Sequence, residues 1–210
     1  MASTLGIKNI KFAFVDSDNN LLIGEDGIFG DATDNTGIFK ADQNTTKGVA
    51  SVALSGLQGA MTSIWGSDQL VYVSTGTGEP SSVLTLNALP AEIKHRMLGD
   101  EADDKGGFSI SGKSDADVRV AFVAESREAF ATDKPVYVGF YAGIAQETAT
   151  TMNSNNTAES RSQDAITVKQ LSGTDGNFGK WFHSGAKNFD LTAVESEFFH
   201  KSTPAQRLIK

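Results

Sequence analysis

The dominant hydrophobic period along the chain is two, the repeat of extended backbone whose alternate side chains face opposite ways. In 8–16, Ile10, Phe12 and Phe14 share one face. In 118–124, Val118, Val120 and Phe122 share a face and Arg119 takes the other. In 136–141, Val136, Val138 and Phe140 alternate with Tyr137, Gly139 and Tyr141, and in 165–171 Ile166 and Val168 alternate with Thr167 and Lys169. Shorter runs rich in Val, Leu, Tyr and Thr at 69–74 and 82–87 read as strands as well. Gly, Asp, Asn and Ser clusters between the runs supply turn chemistry. The pattern predicts a mainly β protein, an antiparallel sandwich or barrel.

Two segments switch to a helical repeat. Pro90 presets a first turn, Leu89, Ile93 and Met97 form one stripe, and Gly99 is a natural stop. Near 190–198, Asp190 is placed to cap a short C-terminal helix whose stripe is Leu191, Val194 and Phe198. The strand expected over 46–57 is unusual. It sets Ala50, Val52 and Leu54 against Val49, Ser51, Ala53 and Ser55. One greasy face and one small, hydroxylated face suit a sheet that packs on a core and lines a smooth surface; an ordinary sandwich strand facing water fits equally.

Three stretches read as long loops: 24–46, with Ile28, Phe29, Ile38 and Phe39; 99–117, acidic and glycine-rich; and 146–163, rich in Thr, Asn and Ser. Loops of this length in one domain are usually put to use. Apolar residues within them point to docking, including on another copy of the chain; surface segments with a few buried anchors are the alternative.

Length and charge narrow the classes. At 210 residues, one domain over 1–210 is expected. With no cysteine the chain has no disulfide framework, no thiolate metal site and no cysteine nucleophile. No apolar run approaches the roughly 20 residues of a membrane helix, so no membrane partner is expected. Residues 1–6 lack the pattern of a signal peptide, which predicts a cytoplasmic place of assembly. The net charge of −8 argues against a binder that neutralises phosphates with clustered Lys and Arg.

Several motifs suggest chemistry on their letters and lose it on context. Gly107 to Ser114 matches the phosphate-loop pattern, with Gly112, Lys113 and Ser114 in the defining places. A phosphate loop joins a buried strand to a helix N-terminus, whereas this one lies between an acidic turn and a period-2 run. Asp16, Asp18 and Asn20 start like a calcium loop, but Leu21 and Gly27 occupy the glycine and bidentate-glutamate positions. Asp100, Glu101, Asp103 and Asp104 lack ligand spacing. His95, His183 and His200 form no paired ligand motif, and Asn44 and Asn155 begin glycosylation sequons by letter only. No catalytic residue, cofactor or metal is expected.

An ordered set of motifs resembles the major tail protein, or tail tube protein, family of long non-contractile-tailed bacteriophages of Gram-positive hosts. It comprises the opening Gly6 to Ile10 strand, the Pro-to-Gly helix from Leu89 to Gly99, and Val120 to Glu125 followed by Lys134 to Gly143. Glu159 to Arg161 leads to Asp164 to Val168, and Gly179 to Trp181 follows. The resemblance spans roughly residues 6–200 and leaves 201–210 unmatched. It implies a β-sandwich-like tube fold with a flanking helix, forming stacked hexameric rings. Such a tube encloses the tape-measure protein, meets tail terminator and tail-tip or baseplate proteins, and conducts DNA as non-specific cargo. It implies a structural virion protein of the tail, assembled in the host cytoplasm and not an enzyme. Under it, the lumen is expected to present Asp, Glu, Ser and Thr, with Ser51, Ser55 and Asp164 as lumen-facing candidates. Ile28, Phe29, Ile38, Phe39, Thr150 and Thr151 become inter-subunit candidates on the loops at 24–46 and 146–163. The alternative from another class is a carbohydrate-binding or adhesin-like sandwich using Trp65, Tyr72, Tyr137, Tyr141 and Trp181 as stacking faces.

Overall fold

In a computed structural model of the chain, residues 3–110, 112, 117–154, 161–173 and 175–200 are described. Among them the strands run β1 (Thr4–Val15), β2 (Ile38–Ala41), β3 (Val49–Ser55), β4 (Met61–Gly66), β5 (Gln69–Thr75) and β6 (Ser81–Leu86). After helix α1 (Ala91–Leu98) come β7 (Arg119–Glu128), β8 (Ala131–Phe140), β9 (Gly143–Gln146), β10 (Asp164–Gln170) and β11 (Gly179–His183), then helix α2 (Leu191–Phe198). A five-stranded sheet, β11-β8-β7-β1-β2, packs on a four-stranded one, β3-β6-β10-β9, and β4 and β5 form a separate hairpin. All pairings between these strands are antiparallel. The mainly β architecture with two short helices, one near the C-terminus, is the one the period-2 pattern predicts.

The inner face of the larger sheet carries a row of rings. Phe12 lies 6.5 Å from Phe39 and 6.4 Å from Phe122, which lies 5.4 Å from Phe140. The smaller sheet answers with Leu84, Leu86, Ile166 and Val168, all fully buried. Helix α1 closes this core with Ile93 and Met97, four residues apart on one face. It stops where Gly99 turns left-handed at φ 74° and the Asp100 N–H reaches the His95 carbonyl at 2.9 Å. Its start is held by the Asp164 carboxylate, which accepts the Leu89 N–H and the Lys94 ammonium, each at 2.9 Å.

A second core lies on the outside of the larger sheet. Helix α2, capped by the Asp190 side chain on the Thr192 N–H at 3.0 Å, lays Val194 and Phe198 over Ala13, Val15, Ala121, Val123 and Tyr137. Strands β7 and β8 are therefore buried on both faces over much of their length, and only half of their alternation reports the main core.

The segment 24–46, expected as a long loop, carries two short regular elements. It holds a 3-10 turn at Gly24–Asp26 and strand β2, which pairs with β1. The Arg96 guanidinium donates to the carbonyls of Glu25 and Gly27, both at 2.9 Å, and ties this segment to α1. The guanidinium lies so close to Gly30 that a side chain there would displace it.

Candidate functional site

The outer face of the four-stranded sheet is a lattice of small side chains. The ladder sets Ser51, Thr85 and Ala165 in one row; Ala53, Val83, Thr167 and Gln146 in the next; and Ser55, Ser81, Lys169 and Ile144 in a third. Lys169 is the one charged residue in these rows, and Glu79 pairs with it at 2.7 Å. The face is thus neutral and hydroxyl-bearing. Ser51 and Ser55 lie on it. Asp164 has the opposite parity, that of Ile166 and Val168, and its carboxylate is engaged with α1. Strands β3 and β9 are the two edges of this sheet.

The β4–β5 hairpin is an arm. It continues the β3–β6 pair past a waist of glycines, where the backbones approach too closely for side chains. A Cβ on Gly59 would lie 2.0 Å from the Gly76 carbonyl oxygen, and one on Gly56 2.2 Å from that of Glu79. Beyond the waist every strand residue except Ser74 is solvent-exposed, although the composition is that of a core. Met61, Ser63 and Trp65 share a face with Val73 and Leu70, while Ile64 and Tyr72 pair on the other. Met61 is 70% exposed, Trp65 67% and Val71 68%. The turn is made by Ser67 and Asp68, both at positive φ (51° and 61°), the signature of a two-residue type I′ connection. From 57 to 78, Asp68 is the only charged residue. Sequence reasoning read 69–74 as a short strand and missed the arm. Its signal was present: a nearly uncharged apolar run bracketed by Gly56, Gly59, Gly76 and Gly78.

The loop residues divide. Ile28 and Phe39 are buried in the protomer's own core, Ile38 packs beside the second core, and Phe29 is exposed at one edge of Phe39, 6.1 Å away. Thr150 and Thr151 are exposed, with the Thr150 hydroxyl on the Glu147 carboxylate. Nearby, Lys94 bridges Glu147 at 2.8 Å and Asp164 at 2.9 Å. Burial lowers the affinity of this ammonium for its proton, and the two carboxylates more than reverse the effect, so its pKa is raised.

The chemical motifs resolve into turns. Asp103 takes the Gly107 N–H at 2.6 Å, occupying an amide that a phosphate loop would offer to a ligand; Lys113 and Ser114 lie outside the described residues, as does Asn155. Asp16 accepts the amides of Asp18 and Asn20, both at 2.8 Å. His95 bonds Asp100 at 2.7 Å and stacks on Phe108 at 4.2 Å, which fastens the acidic loop to α1. The aromatic residues form no common platform: Trp65 and Tyr72 are on the arm, Tyr137 is beneath α2, Tyr141 bonds Glu197 at 2.9 Å, and Trp181 is on the edge strand β11.

The described residues form a sandwich with a smooth neutral face, open sheet edges and an exposed apolar arm, surfaces suited to contact with other chains. The sequence profile of the phage tail tube protein family matches residues 1–206, and the chain belongs to that family. A comparison with curated proteins gives no match. The protein is a component of the virion tail and not an enzyme.

Proposed function

We propose that the protein forms hexameric rings that stack into the tail tube, with the outer face of the four-stranded sheet turned to the lumen. The observation that carries this reading is the pairing of a neutral, small-residue sheet face with two unpaired edges. Free edges invite pairing with a like edge, and β3 of one copy meeting β9 of the next removes both and closes a barrel. Six copies of the four-stranded sheet give a barrel backbone radius of roughly 25 Å, at a strand spacing of about 4.8 Å and a tilt of about 45°. That bore admits a DNA duplex, or the tape-measure protein before it.

The lining then works by omission. Ser51, Ser55, Ser81, Thr85 and Thr167 offer hydroxyls to water, and Lys169 is neutralised by Glu79. Phosphates find no row of free cations to displace their counterions, so DNA slides without sticking. Repulsion by lumen carboxylates, expected from the net charge, is not needed. The tail terminator and tail-tip proteins are the partners at the two ends of such a tube. The host class that fits the sequence resemblance is Gram-positive, with assembly in its cytoplasm.

Cryo-microscopy of assembled tails tests the reading. Six copies per ring with Ser51, Thr85 and Thr167 facing the bore is the expected result. A different ring number, or burial of that face against another protein layer, overturns it.

A further inference from the structure

The backbone direction at the last described residue sets a course for the chain beyond it. His200 forms a parallel bridge with Asn20, and the Leu21 N–H donates to the His200 carbonyl at 2.8 Å. The chain at His200 therefore runs the same way as 20–22, towards the 3-10 turn at Gly24–Asp26. Beside that turn lies a hollow of about 450 Å³, bounded by the turn, the end of α1 and the start of β7. Phe14, Leu22 and Val118 give it an apolar floor. Its rim is acidic, with Glu25, Asp26, Asp100 and Asp117 against Arg96 and Arg119. Both guanidiniums are turned to backbone: Arg96 to the carbonyls of Glu25 and Gly27 at 2.9 Å, and Arg119 to that of Ser17 at 3.3 Å. Asp100 is held by His95. Glu25 and Asp26 are exposed and, among the described residues, pair with no cation.

We infer that residues 201–210 of the same chain fill this hollow, with Leu208 and Ile209 on its floor and Arg207 and Lys210 at Glu25 and Asp26. Three observations select this occupant. The first is heading and reach. Glu25 and Asp26 follow Asn20 by five and six residues, and Arg207 follows its bridge partner His200 by seven, so similar lengths of chain bring them level. Pro204 has no N–H to give, which ends any ladder beside 21–23 and lets the chain turn inward. The second is charge. Residues 201–210 include Lys201, Arg207 and Lys210 and no Asp or Glu, the complement of the acidic rim. The third is the floor, whose apolar residues match Leu208 and Ile209, the large apolar residues of that stretch. A segment on this course also passes over Ile23, which is 51% exposed. It acts as a strap across this end of the main core, joining the 3-10 turn to α1 and β7 alongside Arg96. The strap does not depend on how copies of the chain assemble.

A zero-length carbodiimide cross-linker, which joins an amine to a carboxylate only where the two already meet, tests this on the full chain. Unlabelled and 15N-labelled chains are mixed in equal amounts, treated, digested and read by mass spectrometry. The expected product links Lys210 to Glu25 or Asp26, with both halves unlabelled or both labelled, as a contact within one chain requires. A second chain carrying Leu208→Ser with Ile209→Ser keeps every reactive group and loses the apolar anchors. Its yield of the same product is expected to fall about tenfold. Three results overturn the inference: no link from Lys210 to Glu25 or Asp26, links that pair labelled with unlabelled halves, or a yield that the two serines leave unchanged. The second of these assigns the hollow to another copy, and the third reduces the contact to chance encounter of opposite charges.

Discussion

Gly139 occupies the outer face of β8, where the ring of Phe198 comes down from α2. A Cβ there would lie 2.7 Å from the ring. Gly139→Ala therefore lifts α2 and is expected to destabilise the protomer by about 1–3 kcal/mol, read as a lowered thermal midpoint. The aspartates show a different economy of residues. At Asp31, Asp42 and Asp103, backbone amides of Thr33, Asn44 and Gly107 hold the carboxyl below its usual range. At Asp175 and Asp190 the side chains of Asn177 and Thr192 do so, helped by amides. At Asp16 and Asp34 burial pulls the other way, and donors from Asn20 and Thr36 outweigh it. Because the folded pKa values are lowered, these turns contribute fully above the unfolded value of about 3.9 and lose their contribution as pH falls through the folded values. Relative to the intrinsic exchange rate at each pH, amide protection in 16–20, 31–37 and 103–107 should fall below about pH 4 before that of the core strands does. Protection in these turns that stays the same from about pH 7 to about pH 3 would contradict this.

Among the elements, the arm carries the most strain. Type I′ turns favour Asn-Gly because both central residues need positive φ, and here Ser67 and Asp68 adopt it instead. An isolated two-stranded hairpin is marginal in water, so the turn matters more here than inside a sheet. Ser67→Asn with Asp68→Gly is expected to stabilise the arm by about 1–2 kcal/mol, seen as slower proteolysis between 57 and 78 and an unchanged core melt. Which elements were legible in the sequence follows from how they are buried. Strand β10 and helix α1 each show one apolar face to one core, and β1 sets its large residues Ile10, Phe12 and Phe14 in the main core and the smaller Ala13 and Val15 in the second, so a periodic pattern finds all three. The 24–46 segment was harder because its order comes from distant partners: Arg96 across to Glu25 and Gly27, and β1 alongside β2. The smooth face was visible as Ser51 and Ser55. The place of Asp164 was not, since its carboxylate answers to Leu89 and Lys94, far away in sequence. The arm escaped because its apolar residues serve no core within the protomer.

For the molecule as a whole, exposed apolar surface among the described residues gathers on the arm, where Met61, Trp65, Val71 and Tyr72 are all exposed, as suits a subunit that meets neighbours. The net charge of −8 is placed outside the neutral sheet face, much of it in loop-ordering turns. If that face lines the proposed tube, the distribution makes a specific demand on it. Val83→Lys with Thr167→Lys adds two cations per copy on adjoining strands without touching the inner face. In assembled tails this pair is expected to slow DNA release at low salt, with the delay relieved as ionic strength rises, as in a counterion-release effect. Unchanged release kinetics at low salt would argue that this face does not meet DNA.

The glycine waist at the root of the arm has a mechanical consequence. Two strands that touch backbone to backbone at Gly56, Gly59, Gly76 and Gly78 have no side chains there to brace them against rotation. Such a joint carries tension along the strands and little torque across them. If the proposed tube joins its levels through these joints, each level would tilt slightly on the next while the spacing between levels stayed constant. The filament would then curve as a chain of links does, without stretching, and keep its bore continuous through the curve.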